Sequence, residues 1–481
     1  MKHSITIIGA GLAGCEAAWQ AARRGLPVRL YEMRPLVKTP AHSGGGLAEL
    51  VCSNSLRGAS LANAVGLLKE EMRRLDSLIM AAADATAIPA GGALAVDRQM
   101  FSAYIEEALT QQASIELVRQ EVTTIPEGPV IIAAGPLASA AISGAIAALT
   151  GAEQLFFHDA IAPIISAASI DLHTAFFASR YGKGGGNDYL NCPFTKEQYI
   201  RFHTALRTAE LFPLRDFEQE KLFAGCMPIE AMARLGEDTM RFGPLKPVGL
   251  RIEMRAGLAP KSLILSGSQV LSSDFTVGKS LLGEDRGWNK TDAEFYAVAQ
   301  LRREDAVGSM YNMVGFQTRL TRAAQEHVFR LIPGLENAEF LRYGAMHRNT
   351  YINSPRLLGA DLHLKSQPRI LFAGQITGIE GYVESAASGL AAGINAARLL
   401  SGQSPIIFPP HTAIGSLLRY ISSGTGHDFQ PMNINFGLLP PLDRHIRNKQ
   451  EKNLALAERA LAELEQWKVQ NAQIPGKAYT Q

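Results

Sequence analysis

Cysteine is scarce in this chain, and its thiols lie far apart in sequence. The 481 residues contain four cysteines, Cys15, Cys52, Cys192 and Cys226. No two are close enough to form a Cys-x-x-Cys zinc or redox motif, and so small a number argues against a secreted disulfide scaffold. We therefore predict no metal site, and each cysteine has to be judged by its own neighbours.

Long apolar runs and a net charge of one sign are also missing. No uninterrupted apolar run reaches about 18 residues, so we expect no membrane-spanning helix. The first residues, "MKHSITIIGAGLAG", lack the apolar run and cleavage site of a signal peptide, so we expect a cytoplasmic protein. The formal net charge is only +2, which neither requires nor excludes a polyanionic partner.

Glycine, by contrast, is placed in patterns that indicate a bound dinucleotide. An apolar strand is predicted at 4–8, a helix at 12–24, and a second strand, "VRLYE", ends in an acid. The candidate cofactor-binding residues of this unit are Gly9, Gly11, Gly14 and Glu32. Such glycines allow a tight turn and a close approach of the backbone to a pyrophosphate, while the acid binds a ribose.

A second strand–turn–helix unit is predicted over 369–400. In flavoproteins a late unit of this kind directs a helix N-terminus towards the flavin, where the helix dipole stabilises negative charge. Its turn contains the candidate cofactor-binding residues Gly374, Gln375, Gly378 and Gly381. Between the two units, "GPVIIAAGPLA" predicts a buried strand that ends at a further candidate, Gly135.

These two units predict an α/β protein with a Rossmann-like, discontinuous FAD-binding domain and an inserted α+β domain. The predicted segments are 1–175 and 340–442 for the FAD-binding domain, 176–339 for the insertion and 443–481 for a helical tail. Within the insertion, 251–295 has no clear periodicity, and we interpret it as a long loop or small subdomain. One amphipathic helix is predicted over 61–82 and another, solvated and charged, over 445–470; contact of the second helix with RNA or with a subunit partner is the alternative.

The stretch "ELVCSNSLRG" sets Cys52 among polar residues. A structural cysteine usually has apolar neighbours, whereas a reactive one is partly exposed near cations. Cys52 is therefore a candidate catalytic residue. For Cys15, on the first helix, and for Cys192 we expect packing roles.

Several long stretches resemble one known family. They include "LAELVCSNSLRG", "GCMPIEAMA", "MRFGPLKPVGL", "RYGAMHRNTYINSP" and "FAGQITGIEGYVESAASGLAAGINAARL", and they cover roughly nine tenths of the chain. The chain is similar to the bacterial folate- and FAD-dependent tRNA (uracil-5-)-methyltransferases, TrmFO, which are related to the GidA flavoproteins. The stretch between Leu250 and Tyr296 is longer than that family usually has.

The resemblance implies a reaction in which a methylene group passes from 5,10-methylenetetrahydrofolate, by way of reduced FAD, to carbon 5 of uridine 54 in the tRNA T loop. NADPH or NADH is the reductant. Carbon 5 of uracil is a poor nucleophile until a thiolate adds to carbon 6, and a base must later remove the proton from carbon 5. We expect Cys226 to attack the base and Cys52 to act as base or flavin-side partner; the reversed assignment is the alternative.

The same resemblance directs attention to "RYGAMHRNTY". Its candidate substrate-binding residues are Tyr343, His347, Arg348 and Asn349. An aromatic ring can stack on flavin, folate or an extruded base, and an arginine can hold phosphate or a folate carboxylate. The expected partners are tRNA and folate, with no membrane; a monomer and a weak dimer both fit.

Other functions remain open at this stage. The same chemistry directed at rRNA would place the difference in 251–295. A flavin-bound tRNA-modification assembly protein would not need both Cys52 and Cys226. An NAD(P)H–flavin oxidoreductase leaves the cysteine motifs unexplained, and an S-adenosylmethionine methyltransferase leaves the second glycine-rich unit unexplained.

Overall fold

The structure is a computed structural model that describes residues 4–39, 41–42, 44–151, 155–213, 227–250, 295–427 and 429–471. The predictions for Cys226 and for nearly all of 251–295 therefore lie outside the described residues. None of the described helices combines the length and apolar character needed to cross a bilayer.

A six-stranded, mainly parallel sheet forms the centre of the predicted cofactor domain. Its order is β16–β17–β7–β1–β2–β6, and only the edge strand β16 runs antiparallel to its neighbour. The strands are β1 (Ile5–Ile8), β2 (Val28–Glu32), β6 (Ile115–Arg119), β7 (Val130–Ile132), β16 (His363–Leu364) and β17 (Gln367–Phe372). Strands from the start and the end of the chain meet here, as a discontinuous domain requires.

Two helices rich in small residues pack closely against each other beside this sheet. They are α1 (Leu12–Ala22) and α11 (Tyr382–Leu400). A methyl group on Gly389 would lie 2.1 Å from the carbonyl oxygen of Ala13, and one on Gly393 would lie 2.5 Å from that of Ala17. Glycine therefore lets the two helices that follow the glycine-rich turns begin side by side.

The single helix predicted over 61–82 is wrong in its continuity. The structure has two helices, α2 (Ala64–Arg74) and α3 (Leu78–Ala85). The chain turns at Asp76, whose φ is +63°, and Ser77 caps α3 by accepting from Met80 N at 3.2 Å. Buried Glu16 accepts from the Ser77 hydroxyl and Ile79 N, so a tertiary contact fixes the break that the apolar periodicity conceals.

A second, antiparallel six-stranded sheet has the order β10–β11–β12–β13–β9–β14. Its strands are β9 (Ile164–Ser166), β10 (Phe176–Ala178), β11 (Tyr189–Phe194), β12 (Ala297–Arg303), β13 (Met310–Met313) and β14 (Phe340–Arg342). Helices α6 (Lys196–Thr208), α7 (Ile229–Leu235), α8 (Glu237–Phe242) and α9 (Arg322–Phe329) belong to this region. Strands β8 (Leu155–Ile161) and β15 (Ala345–Tyr351) pair with each other in antiparallel fashion. In the chain, β8 connects β7 of the first sheet to β9 of the second, and β15 connects β14 of the second sheet to β16 of the first. The exact division into domains stays a prediction.

The remaining elements flank the first sheet. They are β3 (Ser55–Gly58), β4 (Ala87–Ile88), β5 (Ala93–Val96), α4 (Arg98–Thr110), α5 (Ala140–Thr150), α10 (Ser354–Leu357), α12 (Ala413–Ser422) and α13 (Lys449–Gln470). Helix α13 was expected to be solvated. It instead buries Ala457, Ala460 and Leu464 in the main core, and the centre of the Trp467 ring lies 4.4 Å from that of Phe408.

Candidate functional site

An elongated cleft of about 1020 Å³, including the solvent at its mouth, runs along the carboxyl ends of β1, β2 and β7. It extends from Gly9–Leu12 past Tyr31–Arg34 and Ala133–Ser139 to Gly374–Gln375 and the start of α11. Helices α1 and α11 both begin at this cleft, with glycines at their N-caps and therefore no side-chain caps. The first amides of two helices thus face the same space, which suits an anionic ligand.

The three N-terminal glycines have different roles. A methyl group on Gly9 would lie 2.5 Å from the Ala133 carbonyl oxygen, and one on Gly14 would lie 1.8 Å from that of Gly9. These two glycines allow close packing between the helix and two strands. A methyl group on Gly11 would meet no atom within 4 Å, and neither would one on Gly135, so both positions border open space in the cleft.

Glu32 is held in place before any ligand binds. Its carboxylate accepts from Ala10 N at 3.1 Å and from the Arg34 backbone and side chain, each at 2.9 Å. Arg34 also donates to Glu49 at 2.8 Å. Burial raises the pKa of Glu32, but the contacts with Arg34 outweigh it and leave that pKa below its usual value. Glu32 therefore lines the cleft as a carboxylate.

The late glycine-rich turn is only partly in the cleft. Gly374 and Gln375 line it, whereas Gly378 and Gly381 do not. Gly378 has a φ of +79°, and a methyl group there would lie 2.5 Å from the Phe429 ring. Gly381 has a φ of +111° and is the N-cap of α11. These two glycines shape the turn that aims α11 at the cleft.

Cys52 lies beside this cleft because its backbone is tied to α11. The Tyr382 hydroxyl accepts from Cys52 N at 2.7 Å and from Ser53 N at 3.3 Å. Tyr382 itself lines the cleft. The Cys52 thiol, half-buried, donates to the Ala160 carbonyl oxygen at 3.8 Å.

The environment of the Cys52 thiol does not favour its thiolate form. Burial, and then the charge of Asp159, raise the pKa of Cys52 to about 12; Arg98 and Arg342 lower it by less. Without a ligand, Cys52 is therefore a neutral thiol near pH 7.

The loop that carries Cys52 is also bound by the second sheet. Arg302 of β12 donates to Asn54 Oδ1 at 2.8 Å and to the Ser53 hydroxyl at 2.6 Å. Asn54 Nδ2 donates in turn to the Arg303 carbonyl oxygen at 2.8 Å. Arg302 and Asn54 are both buried. Contacts from two domains thus fix the three residues from Cys52 to Asn54.

The four residues of the "RYGAMHRNTY" stretch do not form one group and do not line the cleft. Tyr343 stacks on Phe340 with ring centroids 5.4 Å apart and donates to Glu326 of α9. On β15, His347 pairs with Asp159 in the strand register, and the Arg348 guanidinium lies 4.0 Å from the centre of the Phe156 ring. Asn349 is buried, and its Oδ1 has no hydrogen-bond partner in the described chain.

Of the other three cysteines, two are packed in the core and the third lies outside the described residues. Cys15 and Cys192 are fully buried, which confirms the expected packing positions. Cys15 donates to the Ala10 carbonyl oxygen at 3.2 Å. Cys226 lies outside the described residues.

Sequence reasoning missed Tyr382, Arg34, Arg98 and Arg302. Tyr382 stood inside a stretch already selected for its glycines, directly after Gly381, and that position was the available signal. Arg98 donates to the Cys52 carbonyl oxygen at 3.3 Å from the first turn of α4. Nothing in the sequence near Arg98 or Arg302 connects them with Cys52, because the contacts span 46 and 249 residues.

Comparison with known proteins agrees with this architecture. The family model described as glucose inhibited division protein A matches residues 4–404. Solved structures of Aquifex aeolicus GidA in two crystal forms share the fold, with TM-scores of 0.64 and 0.61 at 16% sequence identity. Each alignment covers 98% of this chain, and the two cover 74% and 78% of the respective GidA chains.

Curated relatives are much closer in sequence. A protein of Heliobacterium modesticaldum is 56% identical over 97% of this chain and 98% of its own length. One of Geobacter sulfurreducens is 54% identical over 97% of this chain and 99% of its own. Both are named methylenetetrahydrofolate–tRNA-(uracil-5-)-methyltransferase TrmFO. The chain therefore belongs to the glucose inhibited division protein A family and, within it, to the TrmFO group.

Proposed function

We propose that this chain is a methylenetetrahydrofolate–tRNA-(uracil-5-)-methyltransferase that forms 5-methyluridine at position 54 of the tRNA T loop. FAD, 5,10-methylenetetrahydrofolate and NADPH or NADH are the small molecules required. The observation that carries the proposal is the position of Cys52, whose backbone is hydrogen-bonded to a residue that lines the dinucleotide-type cleft. Relatives more than half identical along almost the whole chain bear the name of this activity.

The residues of the cleft fit FAD. The open space beside Gly11 and the uncapped start of α1 suit a pyrophosphate, while the ionised carboxylate of Glu32 suits ribose hydroxyls. Gly374, Gln375 and the start of α11 would then hold the flavin end of the cofactor. When bound, FAD supplies the redox and one-carbon transfer chemistry, which the side chains lack.

The chain's own residues have to activate the uracil and remove a proton. A thiolate adding to carbon 6 makes carbon 5 nucleophilic, and the proton on carbon 5 leaves after transfer. A thiol with a pKa of about 12 is poorly suited to be the resting nucleophile at neutral pH, and it can take the proton from carbon 5 only after its own proton has passed to a base. This supports Cys226 as the nucleophile and Cys52 as the residue that handles the proton.

The target uridine has to leave a folded RNA loop to reach this site, at an unstacking cost of a few kcal/mol. On β15, exposed Arg348 and half-buried His347 lie on the strand next to Asp159 and Ala160, whose carbonyl oxygen receives the Cys52 thiol. We assign these two residues to substrate contact, with Arg348 for phosphate or a folate carboxylate. Tyr343, turned to Glu326, and buried Asn349 would shape the strand that presents them. The proposal also places the enzyme in the cytoplasm with its tRNA substrate, as a monomer or weak dimer.

The test uses purified protein loaded with FAD, NADPH and methylene-labelled methylenetetrahydrofolate. Unmodified tRNA and unmodified large-subunit rRNA are offered separately, and nucleoside analysis locates the label. We expect label in 5-methyluridine at the T-loop position only. Label found only in rRNA would show that rRNA, and not tRNA, is the substrate. No label in either RNA, with flavin bound and reducible, would refute methyl transfer.

Single substitutions then divide the cysteine roles. Cys226→Ala is expected to abolish any covalent complex between protein and RNA. Cys52→Ala is expected to leave such a complex but stop its resolution. Cys15→Ala is the matched control, because Cys15 is buried in the first helix and is expected to keep activity if the protein folds. The opposite pattern would support the reversed assignment.

A further inference from the structure

A run of cations lies just before and within the first turn of the C-terminal helix. The "basic segment", residues 443–452, contains Arg444, His445, Arg447, Lys449 and Lys452 against only two carboxylates, Asp443 and Glu451. All of these side chains are exposed. Its local excess of permanent charge is therefore as large as the formal net charge of the whole chain, +2.

These cations are not used to stabilise the fold. The side chains of Arg444, Arg447, Lys449 and Lys452 form no ion pair within the part of the chain that the structure describes. Cations further along α13 are engaged in contrast: Arg459 donates to the Pro441 carbonyl oxygen at 2.7 Å and Lys468 pairs with Glu465 at 3.1 Å.

The position of the basic segment is also unfavourable for helix stability. The N-terminus of a helix carries partial positive charge, which attracts anions and repels cations. Helix α13 begins at Lys449, and Arg444 and Arg447 precede its N-cap Asn448. Arg444, His445 and Arg447 line one shallow depression, which Glu451 and Glu458 share. An anion bound by Arg444 and Arg447 would offset their repulsion from the helix N-terminus.

Two structural links connect the basic segment with the candidate active site. The chain upstream of the segment includes Met432, whose carbonyl oxygen accepts from Glu380 N at 3.0 Å beside the late glycine-rich turn. From its far end, Asn453 donates to the Ala62 carbonyl oxygen at 2.9 Å, on the loop that follows β3 and hence the Cys52 loop. The basic segment therefore lies in the chain between a contact to the late glycine-rich turn and a contact to the loop after β3.

We infer that the basic segment binds the phosphate backbone of the substrate RNA outside the nucleotide that is modified. This inference rests on the proposed function for the identity of the RNA. Exposed lysine and arginine side chains bind phosphates without reading sequence, so the segment contributes affinity and register, while chemistry remains with the cleft.

The experiment measures binding of a fluorescent, unmodified tRNA transcript to the FAD-loaded full chain between about 50 and 200 mM salt. The variant combines Arg444→Gln, Arg447→Gln and Lys449→Gln. Each lost phosphate contact lowers the slope of log affinity against log salt by about 0.7–0.9, so we expect the slope to fall by roughly 2–3. At about 150 mM salt the affinity should fall at least about tenfold, and KM for tRNA should rise while kcat at saturating tRNA is unchanged.

The matched control combines Lys196→Gln, Arg201→Gln and Arg207→Gln, three exposed cations on α6. It changes the net charge by the same amount and should alter the slope by less than about 1. Equal slopes for the wild type and the basic-segment variant would overturn the inference, as would an equal loss in the control. Altered self-association in sedimentation, with unchanged RNA binding, would assign the surface to a second copy of the chain and also overturn it.

The outcome is separable from that of the proposed function. A wild type that binds tRNA through the basic segment but forms no 5-methyluridine would leave this inference standing and reject methyl transfer. If the wild type forms 5-methyluridine and the basic-segment variant binds tRNA with an unchanged salt slope, methyl transfer stands and this inference is rejected.

Discussion

The Tyr382 hydroxyl oxygen accepts hydrogen bonds from the backbone amides of Cys52 and Ser53, at 2.7 and 3.3 Å. The bond to Cys52 spans 330 residues and joins the first turn of α11 to the loop before β3. Burial keeps the pKa of Tyr382 above its usual value, so the phenol stays protonated. One side chain thus lines the cleft and fixes the backbone of the candidate catalytic cysteine.

Removing that hydroxyl should misplace Cys52 without removing the ring. Tyr382→Phe leaves two amide donors without their acceptor, at a cost of roughly 1–3 kcal/mol for each buried group. If the lost free energy reduces the population of the Cys52 loop in its aligned position, kcat for 5-methyluridine formation should drop about 10- to 100-fold, since about 1.4 kcal/mol corresponds to a factor of ten. Flavin content should be retained. Tyr420→Phe is the control because its hydroxyl donates to Gln430 at the surface, and an equal loss in both variants would contradict the role of Tyr382.

The raised pKa of Cys52 predicts slow alkylation of the ligand-free protein. With a pKa of about 12 instead of the usual 9.0, the thiolate fraction at pH 8 is lower by roughly 1000-fold, because each pKa unit is a factor of ten. Reaction with iodoacetamide should rise steeply with pH and show no plateau below pH 10. Peptide mass spectrometry would follow the peptide that contains Cys52 separately from those that contain Cys15, Cys192 and Cys226. A plateau near pH 7 would show that the thiolate forms without a ligand.

Gly11 and Gly14 should respond oppositely to the same methyl group. Gly11 has a φ of −74°, which alanine accepts, and the added methyl would project into open space. Gly11→Ala should therefore change the free energy of unfolding of the apoprotein by less than about 0.5 kcal/mol, yet greatly reduce its FAD content. Gly14→Ala would bring a methyl 1.8 Å from the Gly9 carbonyl oxygen and should destabilise the apoprotein by several kcal/mol.

Flavin absorbance and denaturant unfolding of the apoproteins would measure both effects. Normal FAD content in Gly11→Ala would show that the pyrophosphate does not lie beside Gly11. A stable Gly14→Ala would contradict the close packing of helix and strand.

Glu71 should make stability depend on pH. This buried carboxyl caps α12, accepting from Ala413 N at 2.6 Å and Ile414 N at 2.9 Å. Burial raises its pKa from the usual 4.5 to about 8, despite those two amides. Between these values the folded state binds more protons than the unfolded state, so stability at this site falls as pH rises from about 4.5 to 8.

Glu71→Gln removes that titration. Its melting temperature should therefore fall less than that of the wild type between pH 5 and 8, by about 2 °C or more. Glu127→Gln, at an exposed carboxyl, is the control and should follow the wild type. Parallel curves for the Glu71 variant and the wild type would contradict the raised pKa.

The sequence predicted best those features that depend on local pattern. The second strand was predicted residue for residue as Val28–Glu32, and the fold class and family followed from contiguous motifs. The break at Asp76 was missed, because a buried glutamate from another helix decides where α3 begins. The raised pKa of Cys52 could not be predicted from its neighbours in sequence, since it depends on burial and on charges from distant segments. The roles of the named site residues remain predictions.

Because Arg302 of the second sheet donates hydrogen bonds to Ser53 and Asn54, the position of Cys52 depends on both sheets. A gene fragment that encoded only the nucleotide-binding sheet would contain the cysteine but not the strand that aligns it. Exchange of the second domain between relatives would likewise succeed only where an arginine is supplied at the matching place on β12. The loop that carries Cys52 can therefore be transferred to another protein only together with β12, which begins some 240 residues downstream.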